Sequence, residues 1–273
     1  DMSPISLDTP PALLSLEGAS VRLGTRSFGP FNLQIHPGER VAILGPSGAG
    51  KSTLLKLMAR DWPACEGRVL LDQQALNHWR LSELSRRRAV LPQSSEVAFG
   101  LQTDLVIGLG RVARQPDTQR RHIIEAAAAQ AHAGHLLGRP FNTLSGGEQA
   151  RVQLARIFAQ MWDTEAGLIL VDEPLAALDP GLQCELQHSL HTYAAQRRHA
   201  LVAILHDLNH ALQGFERLLL VHNGQLAADL PSNAQAVPAL EVLYGIHLDC
   251  LHSPHGHLFV APRPASRRVM EPA

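Results

Sequence analysis

The densest chemistry in this chain lies in Gly45-Pro46-Ser47-Gly48-Ala49-Gly50-Lys51-Ser52 and the Thr53 that follows. The spacing is G-x-x-x-x-G-K-S. Its glycines let the backbone turn several N–H groups inward and leave room for phosphate oxygens. Lys51 is long enough to reach the outer phosphates, and the Ser52 hydroxyl suits a magnesium ion. The flanks agree. Val41 to Leu44 is an apolar run of strand length, and Leu54, Leu55, Leu57 and Met58 then recur at helical spacing. The loop therefore opens a helix whose bare N–H donors and positive dipole end favour an anion.

Further positions fit a phosphate bound there. Leu168 to Val171 reads as a buried parallel strand ending in Asp172-Glu173, and the carboxyl edge of such a sheet is where ligands bind. Ala200 to Leu205 reads as a second core strand, ending in His206. A lone histidine is commonly structural, but this one falls at the same sheet edge as Asp172. Ala89-Val90-Leu91, cut off by Pro92, puts Gln93 at a third strand end. In Leu144-Ser145-Gly146-Gly147-Glu148-Gln149, Ser145 and Glu148 have capping-box spacing, which predicts a helix to about Met161. Gly146 and Gly147 leave that helix start accessible, a second anion-ready terminus.

The elements that must position these groups follow from the pattern. Residues 1–12 carry three prolines and read as a loose tail without the basic-then-apolar pattern of a secretory signal. Residues 13–93 and 144–230 read as an α/β core with a mostly parallel sheet, preceded by an antiparallel β layer over Leu13 to Ile35. Residues 94–143 read as an inserted helical subdomain, with a strong helix over His122 to Leu137. Asp179 before Pro180 caps a helix on which Leu182, Leu186 and Leu190 share a face. Asn223-Gly224 predicts a tight hairpin. In the C-terminal extension, 231–273, His247, His252, His255 and His257 are irregularly spaced, without an Asp or Cys at a metal-site interval, and read as a surface loop.

Bulk properties exclude several classes. The 273 residues carry a net charge of −1, so no overall attraction to nucleic acid or acidic lipid is expected. Cys65, Cys184 and Cys250 are far apart and odd in number, against a disulfide framework and in keeping with a reducing, cytoplasmic compartment. No apolar run approaches a membrane span.

Taken together, the phosphate loop, Gln93, the LSGGEQ motif, the strand ending in Asp172-Glu173 and His206 resemble an ATP-binding-cassette (ABC) ATPase in order and spacing, over roughly residues 14–230. LSGGEQ is the most specific part of the match. The resemblance implies a P-loop NTPase core and two cassettes stacked head to tail. Gly45 to Thr53 would hold one ATP, and Ser145, Gly146 and Gly147 would close on the ATP of the partner cassette. Ser52, Gln93 and Asp172 would organise Mg²⁺. Glu173 would polarise the attacking water, and His206 would hold it in line with the γ-phosphate. Asp179 would lie along the dimer seam. One phosphate loop and one signature per chain imply a homodimer, unless a second cassette protein is the partner. Two departures stand out. Val21 to Gly24 offers no aromatic ring for adenine, leaving aliphatic contact or Arg22, and Leu175 stands where Thr or Ser is usual after DEP.

His206-Asp207-Leu208-Asn209 and Val106 to Arg111 look like importers of iron-siderophore, haem and cobalamin, and Arg86 to Gln93 with Ala155 to Trp162 are most similar to haem importers. That resemblance implies a two-copy transmembrane permease, a periplasmic haem-binding protein acting indirectly, and a place at the cytoplasmic face of a bacterial inner membrane through the permease. Cobalamin or siderophore is the alternative cargo. A soluble cassette of DNA repair or translation fits less well: the loop-to-signature gap of roughly ninety residues holds no sustained heptads, and there is one cassette per chain. A haem- or metal-sensing role for the C-terminal histidines is a third reading.

Overall fold

The computed structural model describes residues 11–92, 100–172 and 178–263. Gln93, Glu173 and Leu175 lie outside the described residues.

The first two strands, β1 (Leu14–Leu23) and β2 (Arg26–Ile35), pair antiparallel from Leu14 opposite Ile35 to Leu23 opposite Arg26. In β2, Phe31, Leu33 and Ile35 are buried while Asn32 and Gln34 are exposed, the period-two pattern of a half-buried strand. β3 (Arg40–Leu44) then leads through the glycine-rich loop into α1 (Lys51–Ala59). β4 (Glu66–Leu71) and the short β5 (Gln74–Ala75) complete an antiparallel sheet ordered β2-β1-β4-β5. α2 (Leu81–Arg87) runs straight into β6 (Arg88–Leu91).

Helices follow: α3 (Thr103–Gly108), α4 (Arg120–Gln130) and α5 (Gly146–Met161). The alanine-rich helix is shorter than its composition predicts, ending at Gln130 rather than Leu137. His132 turns left-handed (φ 53°), its N–H bonding Ala129 O at 3.1 Å while the Ala133 N–H bonds Ala128 O at 2.7 Å. This pair of bonds closes the helix as a Schellman motif, and it buries Ala131, Ala133 and Leu136. Burial at the cap outweighs alanine's preference for continuing the helix.

β7 (Leu168–Asp172), α6 (Pro180–Gln196), β8 (Ala200–Ile204), α7 (Leu208–Gly214), β9 (Arg217–His222) and β10 (Gln225–Pro231) complete the core. The six-stranded sheet is ordered β10-β9-β3-β8-β7-β6, parallel except for the β9–β10 hairpin, whose turn residues Asn223 and Gly224 both have positive φ. Strands β3, β7 and β8 are apolar on both faces. Val41 and Ile43 pack with α1 and the antiparallel layer, whereas Ala42 and Leu44 join the core on the opposite side with α5 and α6. Fully burying each large side chain is worth about 1.5–3 kcal/mol, so these strands cannot shift register cheaply.

The C-terminal histidine region is a loop at His255 and His257, which lie exposed between two strands, but not at His247 and His252. It forms α8 (Val237–Tyr244) and an antiparallel hairpin of β11 (His247–His252) and β12 (Leu258–Arg263). Leu248 and Val260 are buried, and this anchoring orders a segment whose polar composition hides it. Among the described residues no three His, Cys, Asp or Glu side chains gather as a metal site, and no helix is long and apolar enough to cross a membrane. Cys65, Cys184 and Cys250 are all free and exposed.

Candidate functional site

Register fixes the site. Ile43 of β3 and Asp172 of β7 both pair with Ile204 of β8, so three neighbouring strands end level with one another. The phosphate loop leaves the first, Asp172 closes the second, and His206 lies two residues beyond the third.

The loop is braced from behind. The Gly224 N–H at the β9–β10 turn donates to Ala49 O at 2.7 Å, and Arg26 Nη2 reaches Gly48 O at 3.4 Å. A Cβ on Gly45 would run into the Val221 carbonyl. Gly50, the N-cap of α1, has φ 108°, and a Cβ there would lie 2.9 Å from the Phe28 ring. Both glycines are therefore dictated by close approach, and Gly50 by backbone conformation as well. The buried Lys51 Nζ donates to Gly45 O at 2.8 Å and Pro46 O at 3.0 Å. Ser52 is exposed at the first turn of α1, and Thr53 is buried beneath it. Among the described residues the α1 N-terminus has no side-chain cap, and its first turn holds no acid, so its donors and dipole face the loop.

Asp172 is half-buried, and desolvation holds its carboxyl above the usual carboxylate range despite the opposing fields of Lys56, Lys51 and His206. Lys51, Asp172 and His206 thus share one electrostatic neighbourhood. Asp172 and Ser52, the residue after Lys51, supply the hard oxygen donors that Mg²⁺ takes. Asp207, next to His206, caps α7 by accepting from the N–H groups of Asn209 (2.7 Å) and His210 (3.1 Å).

Ser145 forms the predicted capping box. Its Oγ accepts from the Glu148 N–H at 3.3 Å, and its own N–H donates to Glu148 Oε2 at 2.8 Å. These bonds, with Arg139 at 3.0 Å, hold the Glu148 carboxyl below its ordinary pKa. Ser145 and Gly146 are exposed, and no described hydrogen bond joins this turn to the phosphate loop. α5 is tied to α6 by a bidentate Arg151–Glu185 pair. Asp179 caps α6, accepting from the Leu182 N–H at 3.1 Å.

The sequence missed several supports. Arg26 is bonded to the loop, a support the sequence did not indicate. Tyr244 Oη accepts from the Gly45 N–H at 3.0 Å across almost two hundred residues of chain, a pairing no local pattern could signal.

A profile of the ABC transporter family matches residues 28–176, a span that includes the phosphate loop, the LSGGEQ turn and Asp172. The chain belongs to the ABC transporter family. The cassette is an ATPase. It is 41% identical over 258 residues to the hemin import ATP-binding protein HmuV of Pseudomonas entomophila, covering 92% of this chain and 100% of the relative. The Pseudomonas aeruginosa HmuV is 39% identical over 256 residues with the same coverage. Among solved structures, a metal-chelate type ABC transporter in an inward-facing conformation matches with a TM-score of 0.78 at 22% identity, over 94% of this chain and 99% of that chain, a likeness of fold.

Proposed function

We propose that this cassette hydrolyses Mg-ATP and thereby drives haem import through a membrane permease. The observation that carries the chemistry is the convergence of the phosphate loop, Asp172 and His206 at one level edge of a rigid sheet. Residues Gly45 to Thr53 cradle the phosphates, and Lys51 exchanges its loop carbonyls for phosphate oxygens. Ser52, Asp172 and Gln93 hold Mg²⁺, which supplies charge neutralisation on the phosphate oxygens when bound. Glu173 takes a proton from the attacking water and His206 holds that water in line. Ser145, Gly146 and Gly147 of a second copy close on the same nucleotide, with Asp179 along the seam. The working unit is then a homodimer on a two-copy permease at the cytoplasmic face of a bacterial inner membrane, fed by a periplasmic haem-binding protein.

The cargo assignment is supported by full-length similarity to hemin import proteins. Nothing in the site's chemistry addresses cargo. The test is reconstitution of the cassette with its permease in liposomes, adding haem-loaded, cobalamin-loaded or siderophore-loaded binding protein in turn. Stimulated hydrolysis and uptake with haem are expected; stimulation specific to another cargo would overturn the assignment. Glu173→Gln should lower turnover by roughly 10²–10⁴ while ATP still binds, and unchanged turnover would remove Glu173 from its role.

A further inference from the structure

The segment after β10 touches both sides of the site. Tyr244, the last residue of α8, is half-buried against the core, and its hydroxyl accepts the N–H of Gly45, the first residue of the phosphate loop, at 3.0 Å. Gly45 sits one residue past the last β3–β9 register pair, Leu44 with Leu220, and the Val221 carbonyl crowds its other side. The phenol therefore takes up a donor at the point where the loop leaves the sheet. Burial raises the Tyr244 pKa, so the hydroxyl stays neutral at working pH.

The other attachment is to the element that follows His206. Asn209, in the first turn of α7, donates from Nδ2 to Val260 O at 3.1 Å and accepts from the Val260 N–H on Oδ1 at 2.7 Å. Its amide pairs with β12 as a neighbouring strand would. Within the segment, Glu241 joins α8 to β11 by accepting from the Leu248 N–H at 2.6 Å. One small unit thus connects the start of the phosphate loop to the helix that follows His206.

We propose that this α8–β11–β12 unit is a brace for the ATP site, in which Tyr244 is a positioning residue for the phosphate loop and Asn209 one for His206. The assignment rests on residues 45–52 being the ATP-phosphate site. It predicts that the two attachments affect different kinetic quantities. Loss of the Tyr244 hydroxyl frees the loop and acts on nucleotide affinity. Loss of the Asn209 amide frees the His206 turn and acts on turnover.

The experiment uses the full chain, with ATP affinity measured by a fluorescent analogue and hydrolysis by phosphate release, well below each variant's Tm. Tyr244→Phe keeps the ring and should weaken ATP binding by about tenfold, the scale of one lost hydrogen bond to a buried donor, with kcat within about threefold. Asn209→Ala should lower kcat by about tenfold with ATP affinity within about threefold. Should Asn209→Ala fail to fold, Asn209→Asp keeps the size and the accepting oxygen, loses the donor, and carries the same expectation. Lys51→Ala separates the two readings: if it binds ATP normally, the phosphate-loop assignment fails. If Lys51→Ala loses ATP while Tyr244→Phe and the Asn209 variants lower only Tm and leave both kinetic quantities at wild-type values, the brace is overturned.

Discussion

Ser145→Ala separates a helix cap from a catalytic contact, because the structure bounds what the cap alone is worth. The substitution removes one acceptor, the Oγ that takes the Glu148 N–H at a long 3.3 Å. The reciprocal bond, Ser145 N–H to Glu148 Oε2 at 2.8 Å, and the Arg139–Glu148 pair at 3.0 Å do not depend on the hydroxyl. Losing the cap should therefore cost about 0.5–1 kcal/mol. For a domain of this size that is a fall in Tm of about 1–4 °C. If Ser145 instead closes on a phosphate held by a second copy, its loss should cost turnover about 10²–10³, as for one preorganised donor to developing charge. That is roughly 3–4 kcal/mol, several times the cap's value. The assay is phosphate release by the full chain with its permease, beside a thermal melt and ATP binding. ATP affinity of the separate chain should hold, since residues 45–53 are untouched. Mixing Ser145→Ala with Lys51→Ala chains tests the sharing directly. In a mixed pair one site carries both lesions and the other neither, so an equimolar mixture should recover about a quarter of wild-type turnover if each intact site works independently. Full activity of Ser145→Ala alone, with only the small drop in Tm, would refute the catalytic contact. A mixture no more active than its parents would refute a shared site whose halves turn over independently.

Other consequences are as direct. Asp172 is held above its ordinary carboxyl pKa by burial, so its ionised form destabilises the fold from near pH 3.8 upward. Asp172→Asn should raise Tm at pH 7, with the gain vanishing towards pH 4, while Mg²⁺-dependent hydrolysis is lost; an unchanged or lowered Tm at pH 7 would count against desolvation as the cause. His199 is buried, with its Nδ1 accepting from the Gly167 N–H at 2.9 Å, and burial lowers its pKa to about 4. The unfolded chain then binds the extra proton, so His199 should contribute a fall in stability of about 2 kcal/mol between pH 6.5 and pH 5, measured by urea unfolding. His199→Asn should remove that share and leave the share of His191, whose pKa burial also lowers to about 4. Arg111 is buried between Asp117 at 2.8 Å and Asp163 at 2.6 Å, and Arg111→Met would strand the buried Asp117 carboxylate. A loss of about 3–5 kcal/mol is expected in equilibrium unfolding, and a change below about 1 kcal/mol would show the cluster to be solvated.

Much of the fold was legible because its governing signals are local. Ser145 and Glu148 are three residues apart, Asp179 and Pro180 adjacent, Asn223 and Gly224 adjacent, and each produced the predicted cap or turn. The strands were legible because Val41 to Leu44 and Ala200 to Ile204 are apolar throughout, as double-sided burial requires. What stayed hidden depends on partners distant in the chain. The end of α4 at Gln130 is set by where Ala131, Ala133 and Leu136 find a core, a fact absent from an alanine run. The C-terminal hairpin is held by Val260 meeting Asn209, and neither residue advertises the other. Arg26 bonds Gly48 because the turn between β1 and β2 carries it there, and nothing in its type or neighbours announces that.

The arrangement divides the proposed chemistry between a buried sheet edge and an exposed helix start. The phosphate loop and Asp172 issue from strands whose side chains are buried on both faces, so moving either means disturbing two cores at once. The Ser145 turn is the exposed start of α5, whose later turns are buried in the core on one side of the sheet and stack Phe158 on Tyr193 of α6. A site that must grip phosphate before the reaction and release it afterwards needs one half that does not yield and one that can. On this reading the fixed half binds nucleotide in a single chain. The second copy's Ser145, presented at the exposed start of α5, converts binding into hydrolysis only when the two chains meet.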